Sequence, residues 1–306
     1  LLVTSRERLT LQEEWVFELP GMAFPPPPQP SPATTEDVFV SLPLEGIEEG
    51  YSALHLFDQR ARQVRANFDL AAEYAAVAHI CQLVSGMPLG LELAAAWVKL
   101  MSCREIADEI ERNLDFLDTK RRNVSALHRS LRSVFRHSWQ LLFGKEKDAF
   151  KKLSVFRGGF TRDAAERVAG ASLPLLSVLV DKSLLRRSET GRYEIHELLR
   201  QYATERLEAT PEVREAAQAA HAHYYANFLY QREGDLRGGR QLEALVEIAS
   251  ELDNVRASWA WAIERTDIEL IGKSLDSLYE FSEMRGRARE GEASLRQAVT
   301  QMREVG

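Results

Sequence analysis

The chain has 306 residues, 45% hydrophobic and 28% charged, with a formal net charge of −7 at pH 7. That balance is ordinary for a soluble globular chain of roughly two to four compact units, and it argues against bulk nucleic-acid binding while leaving room for a local basic patch. No apolar run approaches about eighteen residues, so no membrane-spanning helix is expected. The two cysteines, Cys81 and Cys103, sit in helical patterns without metal-ligand spacing, which fits a reduced, cytoplasmic setting.

The chain opens on Leu1-Leu2-Val3 in place of a starting Met, which suggests an internal fragment. This short apolar run ends in Thr4-Ser5-Arg6, as a central parallel strand does when it delivers polar side chains to the carboxyl edge of a sheet. Trp15, Phe17 and Leu19 alternate in a second strand, closed by Pro20-Gly21. The two read as the last strands of an α/β domain. Phe24 through the prolines at 25–28, 30 and 32 forms a stiff extended linker.

From about Tyr51 the pattern is helical. Leu54, Phe57, Ala61 and Val64 make one stripe, and Leu70, Tyr74, Val77, Cys81 and Val84 make another that Gly86 stops. Pro88 restarts a helix through Leu89, Leu91, Leu93, Ala94 and Trp97. Ser102 and Glu105 form a capping box ahead of Ile106, Ile110 and Leu114. These helices read as a compact unit. Lys120-Arg121-Arg122 marks a solvated junction, after which Leu127, Leu131, Val134, Phe135, Trp139 and Leu142 give the clearest helical stripe.

A further helix runs through Phe150 and Leu153 to Gly158-Gly159, Thr161 caps a short one, and 173–184 makes another. Then Leu184-Leu185-Arg186-Arg187, a turn ending at Gly191, and residues 192–195 read as a β-hairpin. Ile195, Leu198, Leu199, Tyr202 and Leu207 follow at helical spacing, so His196 stands where strand becomes helix. Free N–H groups and the positive end of the helix dipole make such a point a seat for phosphate, to which an imidazole N–H can donate. The plainer reading is that His196 only caps the helix. Helices, a two-stranded wing and a closing helix spell a winged-helix domain.

Thr210-Pro211 starts the next helix, with Thr as the cap and Pro at the first position, and Tyr224, Tyr225, Phe228 and Leu229 line it. One helix then carries Leu242, Leu245, Ile248, Leu252, Val255 and Trp259, and two more follow at 268–281 and 288–302. Antiparallel helix pairs with polar turns read as the start of an α-solenoid. The seven histidines are scattered, and His221 and His223 point to different sides of one helix, so a metal or acyl-transfer enzyme has no support.

Taken in order, Leu2-Val3-Thr4-Ser5-Arg6, Gly86-Met87-Pro88-Leu89-Gly90-Leu91-Glu92-Leu93-Ala94, residues 150–160 and Ile195-His196-Glu197 resemble the second half of a STAND signalling NTPase. That class includes the NB-ARC proteins and bacterial regulators with tetratricopeptide-like arrays. The resemblance implies a mainly α chain of four parts. They are the last strands of the NTPase sheet and a linker at 1–32, a helical lid at 33–122, a winged helix at 123–209 and a tetratricopeptide-like region at 210–306.

The resemblance also implies roles. Thr4, Ser5 and Arg6 match the sensor strand, whose Arg is expected to feel the terminal phosphate of ATP. Gly86, Pro88 and Leu89 match an element whose proline is expected to pack on adenine. His196 matches the histidine expected to contact the β-phosphate of ADP, with Ile195 and Glu197 standing where the family has Met and Asp. The implied cofactor is ADP or ATP, with Mg²⁺ held elsewhere in the parent protein. The chain contains no Gly-x-x-x-x-Gly-Lys-[Ser/Thr] loop and no strand ending in paired acids. This polypeptide alone is therefore not expected to hydrolyse ATP, although the parent would be a slow ATPase.

Three functions follow as expectations. The first is the regulatory half of an ADP/ATP-dependent switch in a transcriptional or stress-signalling regulator. Its partners would be the NTPase half, an unidentified ligand or protein on the C-terminal array, and further copies of itself on activation. The second is a winged-helix transcription factor. Its reading helix, 173–184, is mostly apolar, reads as buried against its neighbours, and lacks the Arg, Asn or Gln that base edges need. The basic face of Arg129, Arg132 and Arg136 is better suited to solvent or a domain interface, so direct DNA binding is disfavoured. The third is a helical protein-interaction scaffold.

Overall fold

A computed structural model describes residues 21–26, 51–112, 116–117, 131–286 and 288–305. The expected strands at 1–3 and 15–19, Thr4, Ser5, Arg6, most of the proline linker, Lys120-Arg121-Arg122, Leu127 and Arg129 lie outside the described residues. The described chain is mainly α, with one two-stranded sheet. It falls into two compact units. The first takes the described residues up to Leu142 together with His196–Tyr202, and the second takes Phe143–Ile195 and the described residues from Ala203 onward.

The first unit contains α1 (Ser52–Val64), α2 (Leu70–Leu83), α3 (Pro88–Ala95) with a 3₁₀ turn at Ala96–Lys99, α4 (Cys103–Arg112) and α5 (Leu131–Gln140). Each of α1–α4 buries most of the stripe its sequence spacing marks: Leu54, Phe57 and Ala61 of α1, Leu70, Val77 and Cys81 of α2, Leu91, Leu93 and Ala94 of α3, Ile106 and Ile110 of α4, while Val64, Tyr74, Leu89 and Trp97 are half-buried. Asp69 caps α2 by accepting from the Ala71 N–H at 3.0 Å. The Ser102–Glu105 capping box forms, with Ser102 N–H donating to Glu105 Oε2 at 2.9 Å and Glu105 N–H donating to Ser102 Oγ at 3.3 Å. Burial pushes the thiols of Cys81 and Cys103 up to about 12, so both are inert packing groups.

The second unit begins with α6 (Gly144–Leu153), α7 (Arg162–Ala169) and α8 (Leu173–Asp181), then β1 (Arg186–Arg187) and β2 (Tyr193–Glu194). The helix α9 (Glu197–Glu208) passes from one unit to the other, and α10 (Pro211–Tyr230), α11 (Glu233–Leu236), α12 (Gln241–Ser250), α13 (Leu252–Glu264), α14 (Ile268–Met284) and α15 (Ala288–Val305) complete the second. Thr161 caps α7 through the Ala164 N–H at 3.2 Å. Ala222 and Ala226 of α10, Trp259 and Ile263 of α13, Leu270 and Ile271 of α14 and Ala298 of α15 share one core.

Several sequence expectations need correction. The hairpin pairs only Arg186 with Glu194 and Arg187 with Tyr193. A third segment that periodicity did not mark joins it, because Phe160 and Tyr193 exchange N–H···O bonds of 2.9 and 2.8 Å. The helix α8 is not sealed: Leu176 and Leu179 are buried, but Leu173, Pro174 and Ser177 are exposed. Thr210 does not cap α10; its hydroxyl donates to the Leu207 carbonyl at 3.0 Å and closes α9 instead. The helix expected across 242–259 breaks at Glu251, where a buried carboxylate turns inward, and Leu242 is left exposed.

Candidate functional site

Two of the sequence-nominated elements meet in the first unit. After α2 the chain reverses through Ser85 at φ 45° and Gly86 at φ 63°, and Met87 opens α3 with Pro88 at its first position. The Gly86 N–H closes on the Cys81 carbonyl at 2.9 Å, while the Gly86 carbonyl accepts from the Met22 N–H at 2.9 Å. A side chain at 86 would have to share this space: a Cβ there would lie 2.1 Å from the Met22 carbonyl oxygen. Glycine is required by the positive φ and by this close approach. Sequence reading did not anticipate that the segment at 21–22 docks on this turn. Gly86 is buried, Leu89 half-buried and the Pro88 ring exposed.

His196 stands at the N-terminus of α9. Its Nδ1 accepts from the Leu198 N–H at 3.1 Å, and its carbonyl accepts the helix's bond from the Arg200 N–H at 2.8 Å. The capping role is thus present. Because Nδ1 accepts, the proton of the neutral ring sits on Nε2. That atom is closed off from water and makes no hydrogen bond of ordinary geometry, only a looser approach to the Val84 backbone. Burial holds the His196 pKa below 6.5, opposed by the neighbouring Val84 backbone and the Glu197 carboxylate. The contact with Val84 places the ring beside the turn that carries Gly86 and Pro88.

Glu197, the acid that follows, is engaged on its own helix. It accepts from Arg200 Nε at 2.7 Å and from Gln201 Nε2 at 3.4 Å. Gln201 also donates to the Glu111 carbonyl at 3.0 Å, tying the start of α9 to the end of α4. The arrangement therefore presents an uncharged N–H donor at a helix N-terminus, beside a glycine turn and an open proline face. A buried donor without a partner costs about 1–3 kcal/mol, so an acceptor oxygen brought to Nε2 would recover that energy. Thr4, Ser5 and Arg6 are outside the described residues.

A second polar cluster lies wholly in the second unit, around an acid that the sequence pattern did not mark. Glu251 is 4% exposed. It takes an ion pair from Arg192 Nη1, and at Oε2 it accepts from the Tyr225 hydroxyl at 3.0 Å and Asn254 Nδ2 at 3.0 Å. Asn254 Nδ2 also reaches the Gly159 carbonyl at 2.7 Å, and Asn254 Oδ1 accepts from the Arg157 N–H at 2.7 Å. Those backbone partners set the amide's orientation, so His221 Nε2, 3.3 Å from Asn254 Oδ1, is the donor of that pair. Burial pushes the His221 pKa down to about 4, with the Asn254 bond opposing. Arg192 Nη2 donates to the Gly159 carbonyl at 3.1 Å, and the pairing with Glu251 raises its pKa above the ordinary guanidinium value. The signal missed was the inward acid at 251, which helical periodicity treats as a polar position.

Among the described residues no group of three His, Cys, Asp or Glu side chains is placed to hold a metal ion, and no helix is long and apolar enough to cross a membrane.

Comparison with known proteins finds similar segments inside longer chains. The chain is 30% identical over 302 residues to a protein named "Putative HTH-type transcriptional regulator" in Mycobacterium bovis, and equally to one of the same description in Mycobacterium tuberculosis. The alignment covers 95% of this chain and 31% of the relative, so the chain spans about a third of the length of these curated relatives. An uncharacterized protein of Mycobacterium tuberculosis is 32% identical over 173 residues, covering 52% of this chain and 44% of its own. No protein-family model and no solved structure matches the chain.

Proposed function

We propose that this chain is the regulatory part of a nucleotide-dependent transcriptional regulator of the STAND class, in which an adenine nucleotide is held partly by His196 and by the turn at Gly86, Pro88 and Leu89. The observation that carries this reading is the enclosed Nε2 of His196 beside that turn, a donor that makes no hydrogen bond of ordinary geometry and only approaches the Val84 backbone. A neutral N–H at a helix N-terminus suits a phosphate oxygen, and the exposed Pro88 ring offers an apolar face to a base. Relatives named as transcriptional regulators support the regulatory half of the proposal.

In this reading ADP is the resting ligand, with Arg6 feeling the terminal phosphate of ATP. The nucleotide supplies the charge that distinguishes the two states, while the residues of this chain bind and orient it. An NTPase half outside this segment supplies the phosphate loop and the Mg²⁺ ligands and makes the whole protein a slow ATPase. A ligand or protein on the helices of 210–306 biases exchange, with assembly of further copies as the output. The test is nucleotide binding by the longer protein that contains this segment. Bound ADP, weakened roughly tenfold or more by His196→Ala, is the expected result, since a hydrogen bond to a charged group contributes about 1.5–3 kcal/mol. No adenine nucleotide on that protein, or equal binding by the variant, removes the proposal.

A second reading, direct DNA contact through the wing, draws on the exposed Arg186 and Arg187 of β1 and on the names of the relatives. The apolar sequence of α8 weighs against it. A duplex-DNA affinity that falls steeply with salt and is lost in Arg186→Ala with Arg187→Ala would favour it.

A further inference from the structure

We propose that the cleft between α13, α14 and α15, which lies wholly in the second unit, is a binding site for a small aromatic carboxylate. The inference deepens the reading of 210–306 as the part that takes a ligand, and its consequence for nucleotide exchange rests on that reading. Its test does not.

The cleft follows from the residues that the three helices bring to it. On α13, Arg256 and Trp259 stand three positions apart and so share a face. On α14, Tyr279, Phe281 and Ser282 line it, and on α15 Gly291 and Ser294 do so, again three positions apart. Gly291 brings α15 close against α14, since a Cβ there would lie 2.8 Å from Ser282 Cβ. Small side chains at 282, 291 and 294 leave space that leucine or phenylalanine would fill. The cleft holds about 500 Å³ when its open mouth is counted, which suits a molecule of one ring and not a folded partner.

The polar groups in the lining are one-sided. Trp259 is 6% exposed, and its indole N–H is enclosed and makes no hydrogen bond. A buried donor left unmade carries a cost that a ligand oxygen within its reach would remove. Arg256 adds a permanent positive charge, and the hydroxyls of Ser282 and Ser294 can donate. No acidic side chain is among the described residues that line the cleft.

Donors without a matching acid select an anion, and the planar guanidinium fits a carboxylate. Arg256 also approaches Asp253 at 3.6 Å in an exposed pair. Such a pair contributes little in water, so the guanidinium can turn to a ligand at small cost. The rings of Trp259, Phe281 and the exposed Tyr279 set the body of the ligand, because an aromatic ring packs on them offset or edge-on. A ligand touching all three helices favours the arrangement in which they meet, and by that means its occupancy biases the array.

The test is calorimetric titration of the full chain, without nucleotide, with 3-phenylpropionate and with 3-phenylpropanol, which has the same ring and no charge. The acid should bind saturably at one site, and the alcohol at least about tenfold more weakly, the factor that one charge-assisted hydrogen bond sustains. Arg256→Gln should weaken the acid by a similar factor and leave the alcohol unchanged. Of the five tryptophan indole N–H signals in a nitrogen-15 spectrum, the one lost in Trp259→Phe should move as the acid is added. No saturable binding of the acid, equal affinity for the alcohol, or an unmoved Trp259 signal overturns the inference, and these three are read on the parent chain. Undiminished binding of the acid by Arg256→Gln overturns it equally. A protein that binds no ADP leaves every one of these results standing.

Discussion

His196, half-buried with an enclosed Nε2, and His221, buried, are two imidazoles with depressed pKa values, and they differ in one bond. In the second unit, Nε2 of His221 meets Asn254 Oδ1, and Asn254 is itself satisfied by two backbone groups and by Glu251. In the first unit, His196 uses Nδ1 to cap α9 and leaves Nε2 enclosed with no hydrogen bond of ordinary geometry, only the Val84 backbone near it. The lesson is that burial and a lowered pKa do not separate a structural histidine from a ligand-seeking one. The accounting of the second nitrogen does.

The most damaging way to break the satisfied cluster is Glu251→Leu, which leaves Arg192 charged and uncompensated and strips Tyr225 of its acceptor. A loss of about 3–5 kcal/mol is expected from denaturant unfolding. A loss under about 1 kcal/mol would mean that the cluster is wet and its charges free.

Acid should act next. His221 titrates near 4 in the folded chain against 6.5 for the free side chain. The depressed value means that the folded state favours the neutral ring. Its contribution is complete above pH 6.5 and shrinks as pH falls toward 4, at about 1.4 kcal/mol per pH unit. His196, also depressed, adds a component of the same sign. In His221→Leu the unfolding free energy should fall less steeply between pH 6.5 and 4; an identical slope would place the titration elsewhere.

The smallest effects give the sharpest contrast. His221→Leu at neutral pH loses the bond to Asn254 and the ring contacts with Phe156 and Tyr225, whose centroids lie 5.2 and 4.7 Å away. The expected cost is about 1–3 kcal/mol. His196→Leu loses a cap but also removes an orphaned donor, so the two terms nearly cancel and stability should change by less than about 1 kcal/mol. A side chain that can be deleted at no cost to the fold is held there for some other purpose. A large destabilisation by His196→Leu would instead show that the ring is structural.

Much of the first unit was legible from residue spacing. The stripes of α1–α4, the cap at Ser102 and Pro88 at the start of α3 follow from rules that act within four or five residues. The position of His196 between β2 and α9 was equally local. The break at Glu251 was not, because periodicity scores an acid as a solvent-facing residue and cannot see an arginine fifty-nine positions away. The docking of Met22 on Gly86, the bridge from Phe160 to Tyr193 and the open side of α8 escaped for the same reason.

The order of residues therefore determined where helices start and stop, where a strand gives way to a helix, and that a histidine occupies that junction. These are consequences of backbone hydrogen bonding and side-chain volume over one or two turns. Only the folded chain decided which imidazole nitrogen is spent and which is left with an unmet donor, and which acid is drawn inside. Those outcomes depend on groups far apart in sequence competing for the same few buried partners, and that competition is settled in three dimensions.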